Sequence, residues 1–298
     1  KRGYNKNFVY GLLAAGGTLG ILIPPSLPMI VYGFVTEESV ISLFLAGIGP
    51  GIFLISLFII FSIIYSKFFG GYKPVPAASW EDRKKHSIKV LPTIMLAVLI
   101  LGGIYTGVFT PTEAAAVGFS LALFLTTILL RSLTFDDFKK ALFESMVTTA
   151  AILVIIAGAK IFGKAIALYR IPQDISMFIE ATIQSKAIFM ITVCLILVAM
   201  GLVFETLSMV LIMVPVLLPA AMSMGVDPIW FGIFMVIMVE CALITPPVGL
   251  NLYVIQSVAK TQLGEVAKGV VPFLIMMIFT VFIMYIWPDL ALYIPFKL

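Results

Sequence analysis

The residues best placed to do chemistry are two proline pairs. Gly20–Ser26 reads G-I-L-I-P-P-S and Ala242–Gly249 reads A-L-I-T-P-P-V-G. Proline has no N–H and breaks the helix around it, so Pro24, Pro25, Pro246 and Pro247 leave carbonyls of the preceding turn without donors. In apolar surroundings those carbonyls must meet protein or a bound cation. As hard oxygen donors they suit Na⁺, and Thr245 adds a hydroxyl. The plainer reading is a proline kink held by neighbouring helices. Glu205, Thr206 and Ser208 gather where two apolar runs meet. An ionisable group there is a functional candidate, although Glu205 and Thr206 could equally cap the second run. Asn251, one turn past the second proline pair, could contact substrate or ion, or make a helix–helix hydrogen bond. Glu240 precedes the same break. Lys160 and Lys164, four apart on one helical face, either snorkel to an interface or attract an anion.

Other chemistries lack their residues. His86 is the only histidine and sits in a basic loop, while Cys194 and Cys241 lie in apolar runs. That pattern gives no disulfide framework and no transition-metal site. No nucleophile–base pair marks an enzyme. Gly158–Ala165, G-A-K-I-F-G-K-A, mimics a phosphate-binding loop but lacks the Ser or Thr after the lysine and the preceding strand.

The elements that must position these groups are membrane spans. Of 298 residues, 61% are apolar and 11% charged, where a soluble domain carries about 25% charged residues. With a mean hydropathy of +1.15, this reads as an all-α polytopic membrane protein, not a soluble enzyme or a nucleic-acid binder. Crossing a bilayer takes about 20 apolar residues, which gives runs at 7–35, 44–66, 90–109, 113–131, 142–168, 187–204, 207–222, 228–258 and 269–288. The runs 7–35 and 228–258 are too long for one straight helix, and each contains a proline pair. The pair 187–204 and 207–222 reads as a re-entrant hairpin with a polar tip. Residues 171–183, 36–45 and 260–268 read as short interfacial helices. Thr110-Pro111-Thr112-Glu113 matches a capping box.

Charge sets the topology. The loop 67–89 holds Lys67, Lys73, Arg83, Lys84, Lys85 and Lys89, which makes it cytoplasmic by the positive-inside rule. Threading from there also puts Lys1, Arg2, Lys6, Arg131, Lys139, Lys140, Lys260 and Lys268 inside, against Arg170, Lys186 and Lys297 outside. The C-terminus is then external.

An internal repeat underlies the pattern. Gly3, Pro24, Pro25, Gly47 and Pro50 recur 222 residues on as Gly225, Pro246, Pro247, Gly269 and Pro272. Glycine and proline dictate backbone shape, so the match implies one unit used twice. In the threading its copies run in opposite directions, a carrier signature. The second copy follows the hairpin 187–222, so a matching hairpin is expected upstream of Lys1.

The motifs G-I-L-I-P-P-S-L-P-M-I-V-Y-G (20–33), Y-T-G-V-F-T-P-T-E-A-A-A-V-G (105–118), F-E-T-L-S-M (204–209) and L-I-T-P-P-V-G-L-N-L (243–252) resemble the large membrane subunit of tripartite ATP-independent periplasmic (TRAP) transporters. The resemblance covers essentially the whole chain. It implies an elevator-type carrier in a bacterial or archaeal inner membrane with a periplasmic C-terminus. A small membrane subunit would brace it, and a periplasmic binding protein would deliver an organic anion such as a dicarboxylate or sialic acid. Na⁺ would be the coupling ion, with no cofactor. By motif position the resemblance implies one sodium site at Gly20, Ile23 and Pro25 and a second at Ala242, Thr245 and Val248. Ala242 stands where the family more often has glycine, and only its carbonyl is needed. Ser26, Glu205, Thr206, Ser208 and Asn251 are the implied substrate or hairpin-tip residues. The expected division is a transport core of 1–35 and 187–258, with arms and scaffold helices in 36–186 and 259–298. A single-component Na⁺/dicarboxylate symporter of related fold is the nearest alternative, and a membrane-embedded enzyme or channel a remote one.

Overall fold

The computed structural model describes residues 4–69, 77–183, 185–246 and 249–297. Among these, every regular element is a helix, as an all-α membrane protein requires. Five helices are long and apolar enough to span a bilayer, or up to seven spans if each bent pair counts as one. The chain forms two compact units, Lys1–Lys73 with Ile155–Leu298, and Pro74–Val154.

In the first unit the run 7–35 is broken, as expected. Helix α1 (Lys6–Leu22) and α2 (Leu27–Thr36) meet at a 41° bend. Helix α3 (Val40–Phe68) follows directly. The separate interfacial helix expected at 36–45 is not formed: Glu37 ends α2 in the left-handed conformation (φ 62°), and Ser39 caps α3 through Ser42 N–H. Proline at position 50 is accommodated inside α3.

The second unit begins with α4 (Trp80–Tyr105). The charged stretch read as loop is therefore helical from Trp80 onward. Ser79 accepts from the Asp82 N–H at 3.1 Å, and that cap starts the helix well before its apolar run. Helix α5 (Pro111–Phe124) starts with the expected capping box: Thr110 Oγ1 accepts from Glu113 N–H, and Glu113 Oε2 from Thr110 N–H. It ends in a π-helical turn over Leu125–Leu129. Helix α6 (Phe135–Leu168) starts before its apolar run for the same reason as α4, with Thr134 and Asp137 capping each other.

The remaining elements belong to the first unit. Helix α7 (Ile171–Thr182) is the amphipathic linker read from the sequence. Helices α8 (Lys186–Met200) and α9 (Thr206–Ser223) are the expected helical pair. The run 228–258 breaks into α10 (Pro228–Leu243) and α11 (Leu250–Ala259). Helix α12 (Leu263–Ile286) absorbs most of the stretch 260–268 read as interfacial, because Lys260 turns left-handed (φ 50°) and α12 starts three residues later. A last helix, α13 (Asp289–Lys297), was not expected. It packs on α3 where Gly49 leaves no room for a side chain: a Cβ there would lie 2.0 Å from the Leu290 carbonyl oxygen.

Helix α10 is the centre of this unit, buried on every side from Ile229 to Ala242, as a helix apolar all round must be. Tyr32 of α2 donates to the Pro228 carbonyl at 2.6 Å, and Trp230 donates to the Met284 carbonyl of α12 at 3.1 Å. Helices α1 and α12 touch backbone to backbone, since a Cβ on Gly11 would lie 1.9 Å from the Gly269 carbonyl oxygen. Phe8, Phe58, Tyr65 and Phe273 pack around that crossing, with Phe8 stacked on Tyr65 at 4.4 Å. Helix starts recur along the chain. Lys6 and Pro228 are 222 apart; Leu27 and Leu250, like Val40 and Leu263, are 223 apart. The caps recur too: Asn5 Oδ1 accepts from Phe8 N–H, and Asp227 Oδ1 from Trp230 N–H.

Candidate functional site

The first break is built by its prolines. Ile23 is extended (ψ 127°), and its N–H still bonds Leu19 O at 3.0 Å. The carbonyls of Gly20 and Ile21 would next look to residues 24 and 25, which have no N–H to give. Gly20, Ile23 and Pro25 are exposed, whereas Pro24 and Ser26 are buried. The Leu22 carbonyl faces α3, where a Cβ on Gly47 would come within 2.9 Å of it. The buried Ser26 hydroxyl has no hydrogen-bond partner.

The second break ends α10 in a tightened turn. Ile244 N–H bonds Cys241 O, and Thr245 N–H bonds Ala242 O, both at 3.2 Å. Thr245 Oγ1 donates to Cys241 O at 2.6 Å. That bond commits the hydroxyl proton and leaves the oxygen's lone pairs available. Gly249 closes the turn, with its N–H on Thr245 O at 3.1 Å. A Cβ on Gly249 would lie 3.0 Å from both the Leu243 and the Thr245 carbonyl oxygens, so two carbonyls converge on a position that a side chain would crowd. Pro247 and Val248 lie outside the described residues. The sequence reading did not single out Gly249, although its place after a proline pair was the available signal.

The pair α8–α9 brings its turn to this break. A Cβ on Gly201 would fall 2.0 Å from the Ala242 Cβ. No sequence motif marks Gly201. Glu205 settles as the cap of α9: its carboxylate accepts from Ser208 N–H (2.7 Å), Ser208 Oγ–H (2.8 Å) and Leu207 N–H (3.1 Å). A carboxylate suits the positive end of a helix. Thr206 is the first residue of α9, and Ser208 lines a small cavity of about 330 Å³ with Gly158, Phe162 and Ile212.

Two contacts tie the broken spans together. Asn251 Nδ2 of α11 reaches the Ala14 carbonyl of α1 at 3.5 Å, the helix–helix bond the sequence left open. Glu240, fully buried on α10, sits beside the Leu22 backbone at the first break, with neither carboxylate oxygen in hydrogen-bond geometry. Lys160 and Lys164 line a neighbouring cavity that shares Ala159 and Leu211 with the one at Ser208. Gly158–Ala165 is continuous helix within α6, so it forms no phosphate loop. Among the described residues no group of three His, Cys, Asp or Glu side chains could hold a metal.

Broken spans, a helical pair turned against one break and spanning helices that expose many large apolar side chains define a multi-pass membrane protein with interrupted helices. Its kinship is specific. Residues 1–290 match the family described as the DctM component of the tripartite ATP-independent periplasmic transporter, and the chain belongs to that family. It is 38% identical over 298 residues to the C4-dicarboxylate TRAP transporter large permease protein DctM of Pseudomonas aeruginosa, covering 99% of this chain and 69% of that protein. It is 33% identical to the sialic acid TRAP transporter large permease protein SiaM of Vibrio cholerae, covering 98% and 68%. To the ectoine TRAP transporter large permease protein TeaC of Halomonas elongata it is 31% identical, covering 99% and 69%. These relatives are transport permeases, not enzymes.

Proposed function

We propose that this permease imports an organic anion, coupled to Na⁺, by an elevator movement of the body that carries the two breaks. The observation that carries the reading is the second break, where two backbone carbonyls converge beside Gly249 and the same turn carries the Thr245 hydroxyl. Oxygens without side-chain charge suit a monovalent hard cation. The donor-poor carbonyls of Gly20 and Ile21 supply the matching set at the first break. Recurring helix starts and caps support an inverted repeat, the architecture in which such paired sites arise. The moving core comprises α1, α2 and α8–α11, and the backbone contact at Gly11 and Gly269 supports carrying α12 with it.

Relatives named for C4-dicarboxylates, sialic acid and 2,3-diketo-L-gulonate handle carboxylates, which supports an organic-acid substrate here. The same kinship supports a bacterial or archaeal inner-membrane location, a small membrane subunit and a periplasmic binding protein as partners. The positive-inside distribution supports a periplasmic C-terminus.

The test is uptake by the complete complex in proteoliposomes, with labelled dicarboxylate or sialic acid offered with and without the binding protein and an inward Na⁺ gradient. Uptake should require both. Uptake without binding protein would favour a single-component symporter, and uptake indifferent to Na⁺ would remove the coupling ion.

A further inference from the structure

Lys160 and Lys164 have no part in the proposed transport sites. They stand one turn apart on α6 and line a cavity of about 770 Å³. Gln173 and Met177 of α7, Val35 of α2 and Leu211 of α9 complete its wall, and no carboxylate lies in that lining. Neither lysine has a hydrogen bond or an ion pair with a described residue. The one ion pair among those residues joins Lys297 to Asp289. The Lys160 ammonium rests over the Phe34 ring, 4.7 Å from its centroid, a contact that uses one side of the ammonium and leaves its other side to the cavity.

Position and lining together select the occupant. Lys164 is four residues from the end of α6, about 6 Å along the axis, and Lys160 about 12 Å. Arg170 turns left-handed there (φ 58°), and the amphipathic α7 follows. Such a helix lies in the interface, so the two ammonium groups reach headgroup depth. Like charges at this spacing repel each other, and an anion between them removes the repulsion. The rest of the wall is apolar apart from Gln173, which offers a small polar dicarboxylate little to bind and suits acyl chains well.

We propose that this cavity is a binding site for one anionic phospholipid, with its phosphate on Lys160 and Lys164 and its acyl chains against Val35, Met177 and Leu211. The lipid would stitch α6 and α7 to α2 and α9. It has no counterpart in the substrate or sodium sites and does not depend on them.

Native mass spectrometry of the intact, delipidated permease complex tests this, with phosphatidylglycerol titrated against phosphatidylcholine. One saturable phosphatidylglycerol adduct is expected, weakened more than about tenfold in Lys160→Gln/Lys164→Gln and kept in Lys160→Arg/Lys164→Arg. Equal binding of the two lipids, or an undiminished adduct in the glutamine variant, overturns the proposal. So does displacement of the adduct by sodium phosphate or succinate at equal concentration, which would mark a free-anion site. If the intact complex takes up no lipid and a cysteine at Ala167 is shielded from thiol reagent, protein fills the cavity and the proposal fails. Should the glutamine variant not fold, Ala159→Trp fills the cavity while leaving both charges, and it too must lose the adduct.

Discussion

Thr245 shows how much one hydroxyl can be asked to do. Its proton is held by Cys241 O at 2.6 Å, which fixes the rotamer and aims the oxygen's lone pairs away from that bond. Losing an oxygen ligand to a cation costs on the order of 1.5 kcal/mol, about tenfold in affinity. Thr245→Ala should therefore raise the half-saturating Na⁺ for uptake about tenfold, with thermal unfolding shifted by only a few degrees. Unchanged Na⁺ dependence would exclude a ligand there. Gly201 is a residue of the opposite kind, needed for what it lacks. Its Cβ would sit 2.0 Å from that of Ala242, and overpacking of this sort costs about 1–3 kcal/mol. Gly201→Ala should lower the melting temperature of the purified complex. Adding Ala242→Gly should restore most of it, a coupling that a double-mutant cycle measures directly.

At the scale of elements, the breaks were legible because proline acts on the backbone of its own turn. Pro24 and Pro25 end α1 at Leu22 whatever surrounds them, and the structure opens the chain there. Replacing Pro25 with Ala removes an interruption worth about 3 kcal/mol in a helix interior. The span should then close toward a continuous helix, and uptake should fall well below wild type even if the protein becomes more stable; full activity would make the break incidental. Early starts of α4 and α6 were less visible, because Ser79 and Thr134 cap polar turns that carry no apolar signal. Helix α13 was missed for another reason. It is short, with a proline inside, and exists where Gly49 lets its backbone approach α3. Glu205 could be read as cap or ligand, and only its three donors from α9 settle the capping role. Contacts such as Gly201 on Ala242 join residues 41 positions apart, and no local pattern announces them.

For the whole molecule, charge does what apolar composition cannot. With 61% apolar residues, hydropathy finds spans but not their direction. The few lysines and arginines supply it. In a background with Cys194 and Cys241 replaced by alanine, a cysteine at Ser79 should react with an impermeant maleimide only after permeabilisation. One at Tyr293 should react in intact spheroplasts. Reaction of both from the same side would overturn the threading and with it the opposed direction of the repeats. Among the described residues, Glu240 is the one fully buried acid, and from the last turn before its own break it also meets the backbone of the opposite one. The two halves of the fold thus meet through a polar group that neither half's sequence motif contains.

The crowding of Gly201 against Ala242 also has a historical side. The two positions share room for a single methyl group. Glycine at the second position removes the closest clash with alanine at the first, leaving the residue-242 Cα at 3.1 Å, and the reverse arrangement holds here. Alanine at both overlaps, at the cost of about 1–3 kcal/mol. The less costly exchange passes through glycine at both, which frees an additional stretch of backbone at the turn and at the break. Geometry thus favours one order of change over the other, and a methyl too many at residue 201 burdens the chain's descendants long before it touches an ion.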